Sequence, residues 1–248
     1  MLQEERFDKI LSEVSSKGAV KVAQLAELMS TSESTIRRDI NELDAAGKLR
    51  KVFGGAVHID KGILTVDADV RTKSQKQIKE KEEIAKYAAS LIEDHDVVFL
   101  DAGTTTERMI DFLNNRTVVY VTNSVTNVQK LAQRGFTAYV TGGTLKLHTQ
   151  ALVGPSALSF ISNFNFTKCF VGANGIDIQR GYTTPNMDEA AIKKVVIENS
   201  QNVYVTADST KFGVVSAVTF SPIEKAKIIT DILPDQEYSK HTLVVEAK

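Results

Sequence analysis

The sequence predicts an α/β fold in two parts: a small helical head, and a larger domain built on a mainly parallel sheet. Three observations carry this. Residues 1–57 hold three short stretches of helical apolar spacing and then a Gly-Gly hairpin. From residue 97 onward, short runs that are apolar throughout recur along the chain. Stretches of helical character separate most of those runs. Continuous apolar runs mark strands buried on both faces of a parallel sheet, and their alternation with helices marks an α/β domain.

In the head, Phe7, Ile10, Leu11 and Val14 follow helical spacing, and Gly18 ends that helix. Val22, Leu25, Ala26 and Met29 give a second helix, closed by the turn Ser30-Thr31. Ser32 is a suitable N-cap for a third, whose inward stripe is Ile36, Ile40 and Leu43. Gly47 ends it, and residues 49–57 read as strand, Gly54-Gly55 turn, strand. Helix, helix, turn, helix and hairpin make the winged helix-turn-helix layout. The expected division is a head over 1–57, a polar linker over 58–75 and a second domain over 76–248. That domain opens on a helix with Ile84, Ala85, Ala88 and Leu91 on one face. Its strands are expected at Val97–Leu100, Val118–Val121, Ala138–Val140, Cys169–Val171, Val203–Val205 and Ile228–Ile229.

Composition narrows the function classes. The chain has 248 residues, 42% of them hydrophobic and 25% charged, as in ordinary globular proteins. Its net charge of −1 gives no global attraction to nucleic acid, so DNA binding requires a local basic patch. The single cysteine, Cys169, excludes a disulfide within the chain, fits a reducing cytoplasm and reads as a small core residue. The N-terminus does not read as a signal peptide, and no apolar run approaches the ~20 residues of a membrane span, so no membrane partner is expected. The histidines at 58, 95, 148 and 241 show no ligand spacing, and neither metal nor cofactor is expected.

The third helix opens Ser32-Glu33-Ser34-Thr35-Ile36-Arg37-Arg38-Asp39. With its apolar stripe inward, Ser32, Ser34 and Thr35 offer short hydroxyls near the helix start, and Arg37 and Arg38 offer guanidinium groups to guanine or phosphate. Arg50 and Lys51 add charge at the wing. The head holds 9 Lys+Arg against 9 Asp+Glu, so the arginine pair taken alone also fits a solvated face. Its place in the third helix before a basic wing favours DNA.

In the second domain, small polar loops follow the strand ends, where ligand crevices form in open α/β sheets. Asp101, Gly103, Thr104, Thr105 and Thr106 form a loop running into a helix, whose amides and hydroxyls suit a phosphate. Asn123 and Ser124 follow the next strand, and Gly142 opens a Gly-Gly-Thr loop. Asn174 and Asp177 lie in a fourth loop, and residues 181–185 form a fifth. The fifth leads to a helix carrying Glu189 and Lys193, four apart and so either site residues or an ion pair on one face. Lys211 closes a sixth loop opened by Asp208.

Thr35-Ile36-Arg37-Arg38-Asp39 with Leu43, Gly47, Leu49 and Gly54-Gly55-Ala56 resembles the signature of the DeoR family of repressors. Two positions depart from that pattern: Phe53 replaces the usual histidine before Gly-Gly, and Ser30 the usual turn glycine. The second domain is similar to the same family over residues 100–105, 121–124, 172–176, 183–185 with Glu189, and 208–213, so the resemblance spans nearly the whole chain. Within the family, residues 32–35, 101–106 with 109–111, and 182–185 look most like fructose-operon repressors. The resemblance implies a second domain similar in fold to ribose-5-phosphate isomerase, control by a phosphorylated sugar with fructose 1-phosphate favoured, operator DNA as partner, and self-association as a homodimer or homotetramer. The acidic cluster of such isomerases is reduced here to Asp177. A regulator is therefore expected rather than an enzyme, although Glu189 could still act as a base in an isomerase. A DNA-binding scaffold with a degenerate pocket is the third possibility.

Overall fold

The computed structural model describes residues 2–57 and 62–247, which form two compact units, Met1–Lys61 and Gly62–Lys248. In the first unit, α1 (Gln3–Lys17) ends where Gly18 turns to φ 72° and its N–H bonds the Val14 carbonyl. A three-residue strand, β1 (Ala19–Lys21), runs directly into α2 (Val22–Leu28). After a turn comes α3 (Glu33–Ala45), then β2 (Arg50–Val52) and β3 (Gly55–Val57). Ile10, Val14, Leu25, Ile36, Ile40, Leu43 and Leu49 fill its core. The hairpin of the sequence reading gains a third strand, because β3 pairs antiparallel with both β1 and β2. Gly55 makes this possible: a Cβ there would lie 2.2 Å from the Val20 carbonyl oxygen.

The second unit begins with β4 (Ile63–Leu64), α4 (Val70–Ser74) and α5 (Ile78–Ser90). The stretch expected to be a plain linker over 58–75 therefore carries a strand and a helix; its residues 58–61 lie outside the described residues. β4 is ordered because it pairs parallel with a strand far along the chain, and nothing local in the sequence announces that partner. Next come β5 (Val97–Leu100), α6 (Thr104–Met109), β6 (Val119–Thr122), α7 (Val125–Gln133) and β7 (Thr137–Val140). A hairpin of β8 (Thr144–Lys146) and β9 (Ala151–Val153) leads to α8 (Pro155–Ile161), β10 (Phe166–Val171), β11 (Gly175–Asp177) and β12 (Gly181–Thr184). The unit closes with α9 (Met187–Glu198), β13 (Ser200–Thr206), β14 (Val215–Ser216), β15 (Val218–Ser221), β16 (Lys227–Thr230) and β17 (Val244–Glu246).

Seven strands form one parallel sheet in the order β17-β16-β13-β10-β5-β6-β7. Val98, Leu100, Tyr120 and Phe170 face a core shared with α5, α6 and α7. Phe99, Val121, Cys169 and Val171 face the other way, toward α8 and α9. Both faces are thus buried, as the continuous apolar runs require. Cys169 is fully buried, and burial pushes its thiol up to about 12, as befits a core residue. The residues expected as a fifth loop are instead strand β12, in a small antiparallel sheet β11-β12-β15. The chain starts the large sheet at β5, builds outward to β7, then crosses to β10 and builds the other way. The order reverses between β5 and β10, and ligand crevices open at such a switch point, outside the carboxyl ends of the strands.

Candidate functional site

Two sites emerge, one in each unit. In the first, Ser32 caps α3: its hydroxyl oxygen accepts from the Thr35 N–H at 3.2 Å and lies 2.8 Å from the Ser34 hydroxyl and 2.9 Å from that of Thr35. Ser32 therefore organises the helix start, while Ser34 stays exposed and Thr35 half-buried. Arg37 is exposed and pairs with exposed Glu33 at 2.7 Å, a contact cheap to exchange for DNA. Arg38 is exposed and, among the described residues, makes no ion pair. Arg50 and Lys51 are exposed on β2. Asp39, one turn beyond Thr35 on α3, is buried and held by Arg6 of α1 at 2.7 and 3.0 Å, which ties the two helices together.

In the second unit, a cavity of about 760 Å³ opens at the switch point. Asp101, just past β5, and Gly172, just past β10, meet there: the Gly172 N–H donates to Asp101 Oδ2 at 2.7 Å. Asp101 Oδ1 accepts from the Gly103 N–H at 3.0 Å and from the Thr106 hydroxyl at 2.7 Å. Lys193, from α9, closes an ion pair on Asp101 Oδ2 and donates to the Gly172 carbonyl at 2.9 Å. Burial by itself would raise the Asp101 carboxyl. The Lys193 charge and hydrogen bond, with the Gly172 N–H and Thr106 hydroxyl, hold it below the usual carboxylate range.

The cavity is lined by Asp101, Gly103, Thr104, Thr105, Asn123, Asn174, Glu189, Lys193 and Lys211 among the residues expected from sequence. Four others lie outside the lining, three of them held by a local task. Thr106 is tied to Asp101 and the Gly103 carbonyl. Ser124 caps α7 by accepting from the Asn127 N–H. Gly142 precedes β8, close to Ser156. Asp177 accepts from the Gln179 and Arg180 N–H groups and so fastens the turn after β11. Glu189 and Lys193 do not pair with each other. Glu189 accepts from the Thr149 hydroxyl at 2.8 Å and lies 3.8 Å from Lys146.

One buried charge on the cavity wall was not among the residues expected from sequence. Lys81, on α5, lines the cavity at 4% exposure and donates to the Lys73 carbonyl; among the described residues it makes no ion pair. Burial pushes its ammonium down to about 8, against the attraction of Asp208. Asp67 and Lys73 were also missed. They pair at 2.6 Å on the cavity wall, and Asp67 accepts from Asn174 Nδ2 at 2.7 Å. Asn123 donates to the Leu152 carbonyl, but its Oδ1 is buried with no hydrogen-bond partner among the described residues. Among the described residues no cluster of His, Cys, Asp or Glu could hold a metal ion, and no helix is long and apolar enough to cross a membrane.

A helix-turn-helix head with a basic wing, and a sheet-end cavity with a buried ammonium, together define a ligand-responsive DNA-binding regulator. A DeoR-like helix-turn-helix domain matches residues 6–62, and the DeoR C terminal sensor domain matches residues 76–232. The chain is 38% identical over 252 residues to the HTH-type transcriptional regulator FruR of Bacillus subtilis (strain 168), covering 100% of both chains. It is 34% identical to the regulator IolR of the same organism, over 95% of this chain and 94% of that one. It is 31% identical to the lactose phosphotransferase system repressor of Staphylococcus aureus (strain NCTC 8325 / PS 47), over 96% and 95%. The chain belongs to the DeoR family of transcriptional regulators, and it is a regulator, not an enzyme. Among solved structures, ribose 5 phosphate isomerase A from Neisseria gonorrhoeae overlaps with 54% of this chain and 53% of its own, at 15% identity and TM-score 0.40.

Proposed function

We propose that this regulator represses a sugar-utilisation operon and that a phosphorylated sugar, fructose 1-phosphate, enters the cavity and changes its affinity for operator DNA. The observation that carries this is Lys81. Among the described residues its ammonium donates to a carbonyl and makes no ion pair; a buried charge so placed is costly, and an anion beside it lowers that cost. Lys211, 3.8 Å from Asp208 and a third exposed, stands where it can join the same anion. Thr104 and Thr105 supply hydroxyls, and Asn123 Oδ1 supplies an acceptor for a sugar hydroxyl. Asn174 and Glu189 bound the sugar end. On this reading Asp101 and Lys193 are the frame of the site, since each already satisfies the other.

The route to DNA is the segment 62–77. It is a wall of the cavity, through Leu64, Val66, Asp67, Lys73 and Gln77, and in sequence it continues through 58–61 into the head. It is held to the unit by the β4–β14 pairing, by Asn174 on Asp67, by Lys81 on the Lys73 carbonyl and by Arg108 on the Ser74 carbonyl. An anion that engages Lys81 acts on the same ammonium that holds one of these anchors, through the donors the Lys73 carbonyl does not use. In the head, Ser34, Thr35 and Arg37 read bases while Arg38, Arg50 and Lys51 hold phosphates. A homodimer or homotetramer in the cytoplasm would place two such heads on repeated half-sites.

The test is operator binding by fluorescence anisotropy with fructose 1-phosphate, fructose 6-phosphate, glucose 6-phosphate and inorganic phosphate in turn. Tight, salt-sensitive binding altered by fructose 1-phosphate is the expected outcome. Operator binding that no sugar phosphate alters refutes the effector assignment.

A further inference from the structure

We propose that Phe53 is a DNA-contacting residue that seats its ring in the minor groove beside the wing, supplying a part of the affinity that salt does not screen. Its exposure is 108%, the highest among the exposed large hydrophobic residues of the described chain. Single exposed apolar residues are ordinary on protein surfaces. This one differs in how it is presented.

Val52 pairs with Gly55, which leaves Phe53 and Gly54 as the two turn residues at the tip of the β2–β3 hairpin. Gly54 supplies the left-handed backbone the turn needs, at φ 77°, and its carbonyl accepts from the Val22 N–H at 2.9 Å. Gly55 fits β3 against Val20 so closely that no side chain could replace its hydrogen. The tip is thus fixed to the start of α2 and to β1, and the ring is displayed on a braced turn. Little ordering remains to be lost when such a group docks.

The surroundings select the partner. Arg50 and Lys51 are exposed on the strand leading to the tip, so the ring arrives flanked by cations suited to the phosphates on either side of a groove. The head carries no net charge, 9 basic against 9 acidic residues, so phosphate attraction alone is a modest source of affinity. An apolar wedge of phenylalanine size is a common device in minor-groove contacts, where it packs on sugars or between base steps.

The test uses the full-length protein and a duplex bearing its operator. Phe53→Ala is expected to weaken binding roughly 10–100-fold, the burial of one such ring. The dependence of affinity on salt should keep its slope, whereas Lys51→Ala should lower the slope by about 1. Phe53→Tyr should restore binding to near that of the unaltered protein. Replacing adenine by 2,6-diaminopurine under the wing adds an amino group to the minor groove. It should weaken the unaltered protein and leave Phe53→Ala unaffected. Binding by Phe53→Ala within twofold of the unaltered protein overturns the proposal. So does a loss that comes with a smaller salt slope. An equal response of both proteins to diaminopurine overturns the groove assignment. Since the ring touches water on all sides in the free protein, a melting temperature unchanged by Phe53→Ala shows that the fold is intact.

Discussion

Replacing Lys81 by methionine should stabilise the ligand-free protein while abolishing its response to effector. The magnitude follows from the structure. An ammonium held at about 8 instead of 10.5 carries a penalty of about 3 kcal/mol while it stays charged in the folded state. Methionine keeps most of the apolar stem, removes the charge and forfeits the charged hydrogen bond to the Lys73 carbonyl, worth about 2 kcal/mol. The expected net gain is about 1 kcal/mol at pH 7, which raises the melting temperature by roughly 2–4 °C for a unit of this size. The sign depends on pH. The folded value lies below the unfolded one, so the penalty is complete below about 8 and fades as pH rises toward 10.5. The advantage of Lys81→Met should fade over the same window.

The assay is a pair of thermal melts from pH 6.5 to 10, with and without effector. At 100 times its dissociation constant, effector should add about 2.7 kcal/mol to the unaltered protein and nothing comparable to the variant. Effector affinity of the unaltered protein should also fall as pH rises above 8, because the anion must then recruit a proton to Lys81. A variant that is less stable at pH 7 and still binds effector would refute the whole line of reasoning, for Lys81 would then be a compensated structural lysine.

Other consequences bear on separate parts of the molecule. Asp101→Asn leaves the Lys193 ammonium buried without its partner and should cost about 3–5 kcal/mol in a denaturant titration, with Asp101→Asn/Lys193→Met recovering much of it. Because the folded Asp101 carboxyl sits below its ordinary range, its contribution is present at neutral pH and lost on acidification through that lowered value; acid melts that ignore this substitution would contradict the frame role. Arg38→Ala should weaken all DNA sequences alike and lower the salt slope by about 1, while Arg37→Ala should relax discrimination between operator and mismatched duplex; reversed behaviour would exchange the two roles. A disulfide between Ile63→Cys and Val215→Cys, partners in the β4–β14 pairing, would lock the 62–77 wall. Oxidised protein should then bind effector without changing its operator affinity, and reduction should restore a change of roughly 5–150-fold. An equal response in both redox states would eliminate this segment as the route.

The head and the large sheet were legible because their signals are local. Ile36, Ile40 and Leu43 define the buried face of α3 by spacing alone, and Val97–Leu100 announces a two-faced strand by being apolar throughout. The elements that escaped are those made by pairing at a distance. β1 is three residues long and exists because β3 lies beside it; β4 depends on β14, and β17 completes the sheet edge beside β16. The site was half legible for a related reason. Hydroxyls and glycines after strand ends mark the mouth of a crevice, and Thr104, Thr105 and Asn123 do line it. Thr106, Ser124 and Asp177 belong to the same residue types, yet each is consumed by a turn or a helix cap, and composition does not distinguish the two uses.

Lys81 shows why the remaining part stayed hidden. It sits in Lys79-Glu80-Lys81-Glu82-Glu83, a run that reads as a solvated helix face, and its neighbour Glu82 is indeed exposed. The 62–77 wall folds over α5 and sets the Lys73 carbonyl against the Lys81 ammonium, while Arg108, Asp208 and Lys211 approach it from other elements. Part of the surroundings of this lysine is therefore supplied by the segment that continues in sequence into the head. On the proposed reading, an anion at Lys81 weakens the hold on that wall by as much as it draws the ammonium away from the carbonyl, and the strength of the response is set by how far its affinity differs between the two positions of the wall.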